Sequence, residues 1–105
     1  MEPDMLIDMY RRMVTIRTFD RRAVEEFHAG NIPGAVHAYI GEEAVAVGVC
    51  SNLRIDDRIT STHRGHGHTI AKGADAKLMM AEIFGRSNGY CKGKGGSMHI
   101  ADFRI

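Results

Sequence analysis

The chain of 105 residues is 44% apolar and 26% charged, the make-up of one ordinary globular domain. Its formal net charge of +1 gives no bulk attraction to nucleic acid or to an anionic membrane, and no apolar run approaches the roughly 20 residues that span a bilayer. The two cysteines, Cys50 and Cys91, make no disulfide framework, and the amino terminus lacks a signal-type apolar run; both features predict a cytoplasmic protein.

Leu6, Met9, Met13, Ile16, Ala23 and Phe27 recur at helical spacing, which predicts a long amphipathic helix over residues 4–29. Pro3 and Asp4 suit its start and Gly30 its stop. Arg11, Arg12, Arg17, Arg21 and Arg22 read as its solvated face. Residues 31–41, with Pro33 and two glycines, read as loop or short extended chain. Residues 42–53 predict a second helix, in which Ala44, Ala46 and Gly48 permit a close neighbour. A turn at Asp56 and Asp57 leads into a β-rich run, 58–62. A loop of glycine and histidine follows, and residues 74–85 predict a third helix, with Asp75 near its start and Gly85 at its end. The remainder is glycine-rich and without period; there is no internal repeat and no linker.

The stretch TSTHRGHGHTIAKG, residues 60–73, gathers His63, Arg64, His66 and His68 around Gly65 and Gly67. Read as a metal site, His63, His66 and His68 need a further ligand, for which Cys91 or Asp102 would have to fold nearby. Against this, the glycines are expected to interrupt any helix here, and Arg64 repels a cation. Read as an anion or cofactor site, the stretch lies after a predicted strand and before helical sequence, where open α/β sheets place ligands. The glycines let backbone approach closely, Arg64 offers a planar fork of donors, and His63 and His66 exchange protons near neutrality. A surface turn with solvated or core-satisfied histidines is the plain alternative.

Residues 89–99, GYCKGKGGSMH, fail the spacing of both the phosphate-binding P-loop and the dinucleotide fingerprint. They read as a flexible, lysine-bearing loop ending in Ser97, Met98 and His99, or as a mobile linker. His37, taken alone, reads as a satisfied structural histidine.

Three segments in order are more specific than any one. HAYIGEEAVAVGV, TSTHRGHGHTIAKG and GKGGSMHIAD together resemble the alpha subunit of thiamine-diphosphate-dependent 2-oxo acid dehydrogenases, most closely the pyruvate and acetoin branch. The resemblance covers nearly the whole chain. It implies an α/β fold class: an N-terminal fragment of a thiamine-diphosphate-binding three-layer fold, mostly helical here, with one short strand and Gly-rich loops. Residues 1–105 would then be a partial alpha-subunit domain.

The resemblance implies roles for particular residues. Arg64 would grip the diphosphate. His63, where the family often has a tyrosine, would also contact the cofactor. His37 would face the substrate end as a catalytic group, with His66 beside it, and Ser97 and His99 would order the active-site loop. Such enzymes decarboxylate a 2-oxo acid or cleave acetoin at the thiazolium carbon of thiamine diphosphate, then pass the two-carbon unit to a lipoyl group. The implied partners are a beta subunit, a second alpha subunit and a lipoyl-bearing acyltransferase, with neither nucleic acid nor membrane.

Two departures shape the expectation. The Gly-Asp-Gly and downstream Asn with which the family holds the magnesium bridging the diphosphate do not occur in these residues, so Mg2+ would be held by residues absent from this chain, and no metal ligands are assigned. The family's activating glutamate belongs to the beta subunit. The isolated chain is therefore expected to bind thiamine diphosphate weakly or not at all. Two other functions stay open: a non-catalytic binding module or remnant, and a small metal protein using His63, His66 and His68.

Overall fold

The computed structural model describes residues 2–105. Four helices follow one another: α1 (Pro3–His28), α2 (Glu43–Cys50), α3 (His66–Lys72) and α4 (Ala76–Ile83). At 1.5 Å per residue α1 is about 39 Å long, and it sets the 42 Å long axis of the molecule. α1 packs against the other three helices, and α2 also packs on α3.

The buried apolar cluster draws Ile16 and Phe19 from α1, Ala46, Val47 and Cys50 from α2, Ile70 and Ala71 from α3, and Met79 and Ile83 from α4. Ile32 and Tyr39 complete it from the connection between α1 and α2. Three helix ends follow the glycine rule: α3 closes at Gly73, φ +112°, with the Ala74 amide returning to the Thr69 carbonyl, and the other two are alike. Beyond α1, Gly30 has φ +84° and the Asn31 amide returns to the Glu26 carbonyl; beyond α4, Gly85 has φ +75° and the Arg86 amide returns to the Ala81 carbonyl. All three are left-handed caps of the kind glycine favours. Asp75 caps the start of α4 by accepting from the Lys77 amide at 2.8 Å.

Three expectations need correction. The regular elements among the described residues are all helices and include no strand, so the α/β class is not expressed within them. The run 58–62 is non-helical and unpaired. A strand is stable only with a neighbour in its ladder, and among the described residues none lies beside it. The glycines of the histidine loop do not prevent a helix: α3 begins at His66 and includes Gly67. The reason is tertiary. A Cβ on Gly67 would come within 2.2 Å of the Tyr39 ring, so the absence of a side chain is what lets α3 lie against that ring. Packing outweighs a glycine propensity cost of about 1 kcal/mol.

Candidate functional site

The first turn of α3 inserts His66 into the core, where it is fully buried. Its Nδ1 lies 2.7 Å from Oδ1 of Asp20, on α1, and its Nε2 lies 2.8 Å from Oγ of Ser97. Asp20 is also fully buried, and Ser97 is 6% exposed. The other Asp20 oxygen accepts from the Tyr39 amide at 2.5 Å, and Ser97 Oγ accepts from the His37 amide at 3.0 Å. The Phe19 ring meets His66 edge-on, with centroids 5.8 Å apart. One buried polar chain thus joins α1, α3, the segment before α2 and the glycine-rich segment.

The outer end of this polar chain carries two more histidines, His37 and His63. The His37 and His63 rings meet edge to face with centroids 5.0 Å apart; His37 is half-buried and His63 exposed. The exposed Arg64 donates through Nη1 to the Ala38 carbonyl at 2.9 Å. His68 points elsewhere: its Nε2 pairs with the Tyr39 hydroxyl at 2.9 Å, and its Nδ1 is buried without a partner. His99 is exposed; its carbonyl, not its ring, is engaged, accepting from Cys91 Sγ at 3.2 Å.

The structure therefore brings together His37, His63, His66 and Ser97, with Arg64 beside Ala38. It does not gather His63, His66 and His68 about one point. Asp102 is turned to Arg104. Among the described residues, no group of three or more His, Cys, Asp or Glu side chains is placed to share a metal ion. A cleft of about 390 Å³, bordered by Arg58, Thr60, His68 and Lys72, includes neither His37 nor Arg64.

Two carboxylates support this arrangement. Glu82 of α4 is fully buried. Its Oε1 accepts from the amides of Cys91 and Gly93, and its Oε2 from those of Gly95 and Gly96, at 2.6–3.0 Å. Burial pushes this carboxyl upward, but the amides of Gly93, Gly96, Cys91 and Gly95 together outweigh it and hold it below the usual carboxylate range. The glycine-rich segment is thereby wound around one side chain, and Ser97 follows directly. Glu43, 3% exposed, accepts from Arg17 Nε at 2.5 Å and from the Gly41 amide at 2.8 Å. The Arg17 hydrogen bond lowers the Glu43 carboxyl against the opposing effect of burial, and the pair pins the end of the His37 segment to α1 and α2.

Sequence reasoning missed Asp20, Glu82 and the ion pair of Arg17 with Glu43. Asp20 and Glu82 left a trace: each sits at a position where the helical repeat calls for an apolar residue. Asp20 falls between Ile16 and Ala23, and Glu82 between Met79 and Ile83.

A family model described as "Dehydrogenase E1 component" matches residues 10–104. The alpha subunit of acetoin:2,6-dichlorophenolindophenol oxidoreductase from Bacillus subtilis is 65% identical over 94 residues, covering 90% of this chain and 28% of that protein. Its counterpart from Cupriavidus necator is 56% identical over 102 residues, covering 97% of this chain and 31% of that protein. The alpha subunit of the pyruvate dehydrogenase E1 component from Zymomonas mobilis is 47% identical over 96 residues, covering 90% of this chain and 27% of that protein. The chain thus spans between about a quarter and a third of the length of these curated relatives.

Proposed function

The chain belongs to the dehydrogenase E1 component family, and on that premise we propose that it forms part of the alpha subunit of a thiamine-diphosphate-dependent oxidoreductase. The proposed substrate is acetoin or a 2-oxo acid such as pyruvate, and the proposed acceptor a lipoyl group. Residues 1–105 would be a partial alpha-subunit domain of the three-layer fold, completed by further alpha-subunit sequence, a beta subunit and a second alpha subunit, and serving a lipoyl-bearing acyltransferase. Val45 and Val49, one turn apart on α2 and 62% and 57% exposed, suit a chain that is covered in an assembly.

One observation carries the reading. The three segments that resemble the family are far apart in sequence, yet they meet at Ser97 Oγ, which contacts the His37 amide and His66 Nε2. A surface turn or a linker has no need of that convergence.

The residues present fit one side of a diphosphate-bearing cofactor. Arg64 is exposed and commits one guanidinium nitrogen to Ala38, leaving donors for phosphate oxygens. His63 stands beside it as a second donor. When bound, thiamine diphosphate supplies the electron sink for cleaving the bond next to a carbonyl. His37 has no described hydrogen bond at either ring nitrogen, so its imidazole is available to hold or deliver a proton at the substrate end. His66, buried and doubly bonded, acts from behind by holding the His37 backbone, with Ser97 as the link. His99 borders the same loop. Magnesium would be held by residues outside this sequence.

The test is Arg64→Ala in the assembled alpha and beta subunits, with cofactor binding followed by titration calorimetry in the presence of Mg2+. Loss of a charged phosphate contact weakens binding on the order of ten- to a hundred-fold, with the circular dichroism spectrum unchanged. Unaltered affinity in a folded variant would remove Arg64 from the cofactor site, and a wild-type assembly that binds no cofactor would favour a non-catalytic module.

A further inference from the structure

We infer that Asp20 is a positioning residue that fixes the tautomer of His66 and, through Ser97, the place of the His37 main chain. The tautomer follows from this chain alone; the consequence for turnover rests on the function proposed above.

A carboxylate offers only lone pairs. Asp20 spends one oxygen on the Tyr39 amide and turns the other to His66 Nδ1 at 2.7 Å, so Nδ1 must carry a proton. Ser97 Oγ receives the His37 amide, and its own hydroxyl proton needs an acceptor; Nε2 of His66, at 2.8 Å, is the one beside it. Nε2 is then bare. In this tautomer donors run in one direction, from the His37 amide to Ser97, from Ser97 to His66, and from His66 to Asp20. Every polar atom of the chain is used, as burial of such groups requires. Edge-on contact from Phe19 adds no competing donor or acceptor.

Asp20→Asn tests the inference with almost no change of shape. The Tyr39 amide selects the amide oxygen of the new side chain, which aims its NH2 group at Nδ1. His66 must then protonate at Nε2. Ser97 is forced to accept from both His66 and the His37 amide, and its own proton loses its acceptor.

The measurement is nitrogen-15 correlation spectroscopy of the histidine rings in the full chain. His66 is expected to be protonated at Nδ1 in the wild type and at Nε2 in Asp20→Asn. A wild-type His66 protonated at Nε2 overturns the inference without any variant, and so does an Asp20→Asn ring that keeps its Nδ1 proton. If Asp20→Asn does not fold, Ser97→Ala serves: Asp20 should still hold the proton on Nδ1, while the His37 amide signal moves and its exchange protection falls; an unmoved His37 amide overturns the link. In the assembled enzyme, Asp20→Asn is expected to lower kcat on the order of ten- to a hundred-fold, the scale of a misplaced reacting group, with cofactor affinity kept. Unchanged kcat and pH profile in an active assembly overturn the positioning role. A switched tautomer in an assembly with no activity on acetoin or 2-oxo acids leaves Asp20 as inferred and defeats the proposed function instead.

Discussion

Replacing Glu82 by glutamine should detach the glycine-rich segment. Its carboxylate accepts from the amides of Cys91, Gly93, Gly95 and Gly96. A glutamine keeps one oxygen and aims an NH2 group at two of those donors, so two bonds are lost and two part-buried amides are orphaned. Bonds to a charged group contribute about 1.5–3 kcal/mol each, which makes the loss about 3–6 kcal/mol. With a urea m-value near 2 kcal/mol/M, the midpoint should fall by about 1.5–3 M. Amide exchange should show the four donors losing protection before the helices do, because the segment can open locally.

The same carboxylate makes stability depend on pH. Its folded value is lowered from the ordinary 4.5, so its contribution is fully present above the unfolded value and is lost as pH falls through the folded one. The gap between wild type and Glu82→Gln should therefore be widest above the ordinary carboxylate range and narrow in acid. A midpoint shift under about 0.5 M with all four amides still protected would refute the reasoning. So would a gap that widens in acid.

Two further substitutions probe the frame. Gly67→Ala removes a helix-propensity cost of about 1 kcal/mol, yet its Cβ would lie 2.2 Å from the Tyr39 ring. Displacing that buried ring should cost about 1–3 kcal/mol, so urea unfolding should report net destabilisation; a stabilised variant would sink the packing argument. Arg17→Met removes the main influence lowering the Glu43 carboxyl and leaves burial opposed only by the backbone amides of Gly41 and Glu43. The carbon-13 titration of Glu43 should move upward, and the stability that Glu43 contributes above the carboxylate range should begin to be lost at higher pH. An unmoved titration would show that the Gly41 amide suffices.

The elements that proved legible are those whose signals are local. The repeat in α1 and its Gly30 stop, and Asp75 and Gly85 around α4, are written within a few residues of where they act. α3 was hidden because Gly67 is a poor helix residue whose reason lies 28 positions earlier in the chain, at Tyr39. The run 58–62 has strand composition, but pairing is a property of two segments, and composition reports on one. His37, His66 and Ser97 were singled out because they match a family pattern; nothing in their spacing foretold that one serine hydroxyl would touch the other two residues.

Asp20 and Glu82 show how more could have been read. On a surface helix an acidic residue is ordinarily solvated, and nothing local marks either of these as an exception. Phase makes them different. Ile16 and Ala23 lie seven apart on one face of α1, and the helical repeat places Asp20 between them. On α4 Glu82 lies one turn after Met79 and next to Ile83, on the same buried side. A carboxylate in the apolar stripe must either disrupt the core or find enough donors to replace water, since an unpaired buried charge is too costly to keep. The donors must come from elsewhere in the chain: here His66 and the Tyr39 amide for Asp20, and a run of glycine-rich backbone for Glu82. An acid out of phase with its helix is therefore a sequence signal for a buried polar junction. In this chain both junctions end at Ser97, one by direct hydrogen bonding and the other by winding the segment that delivers it.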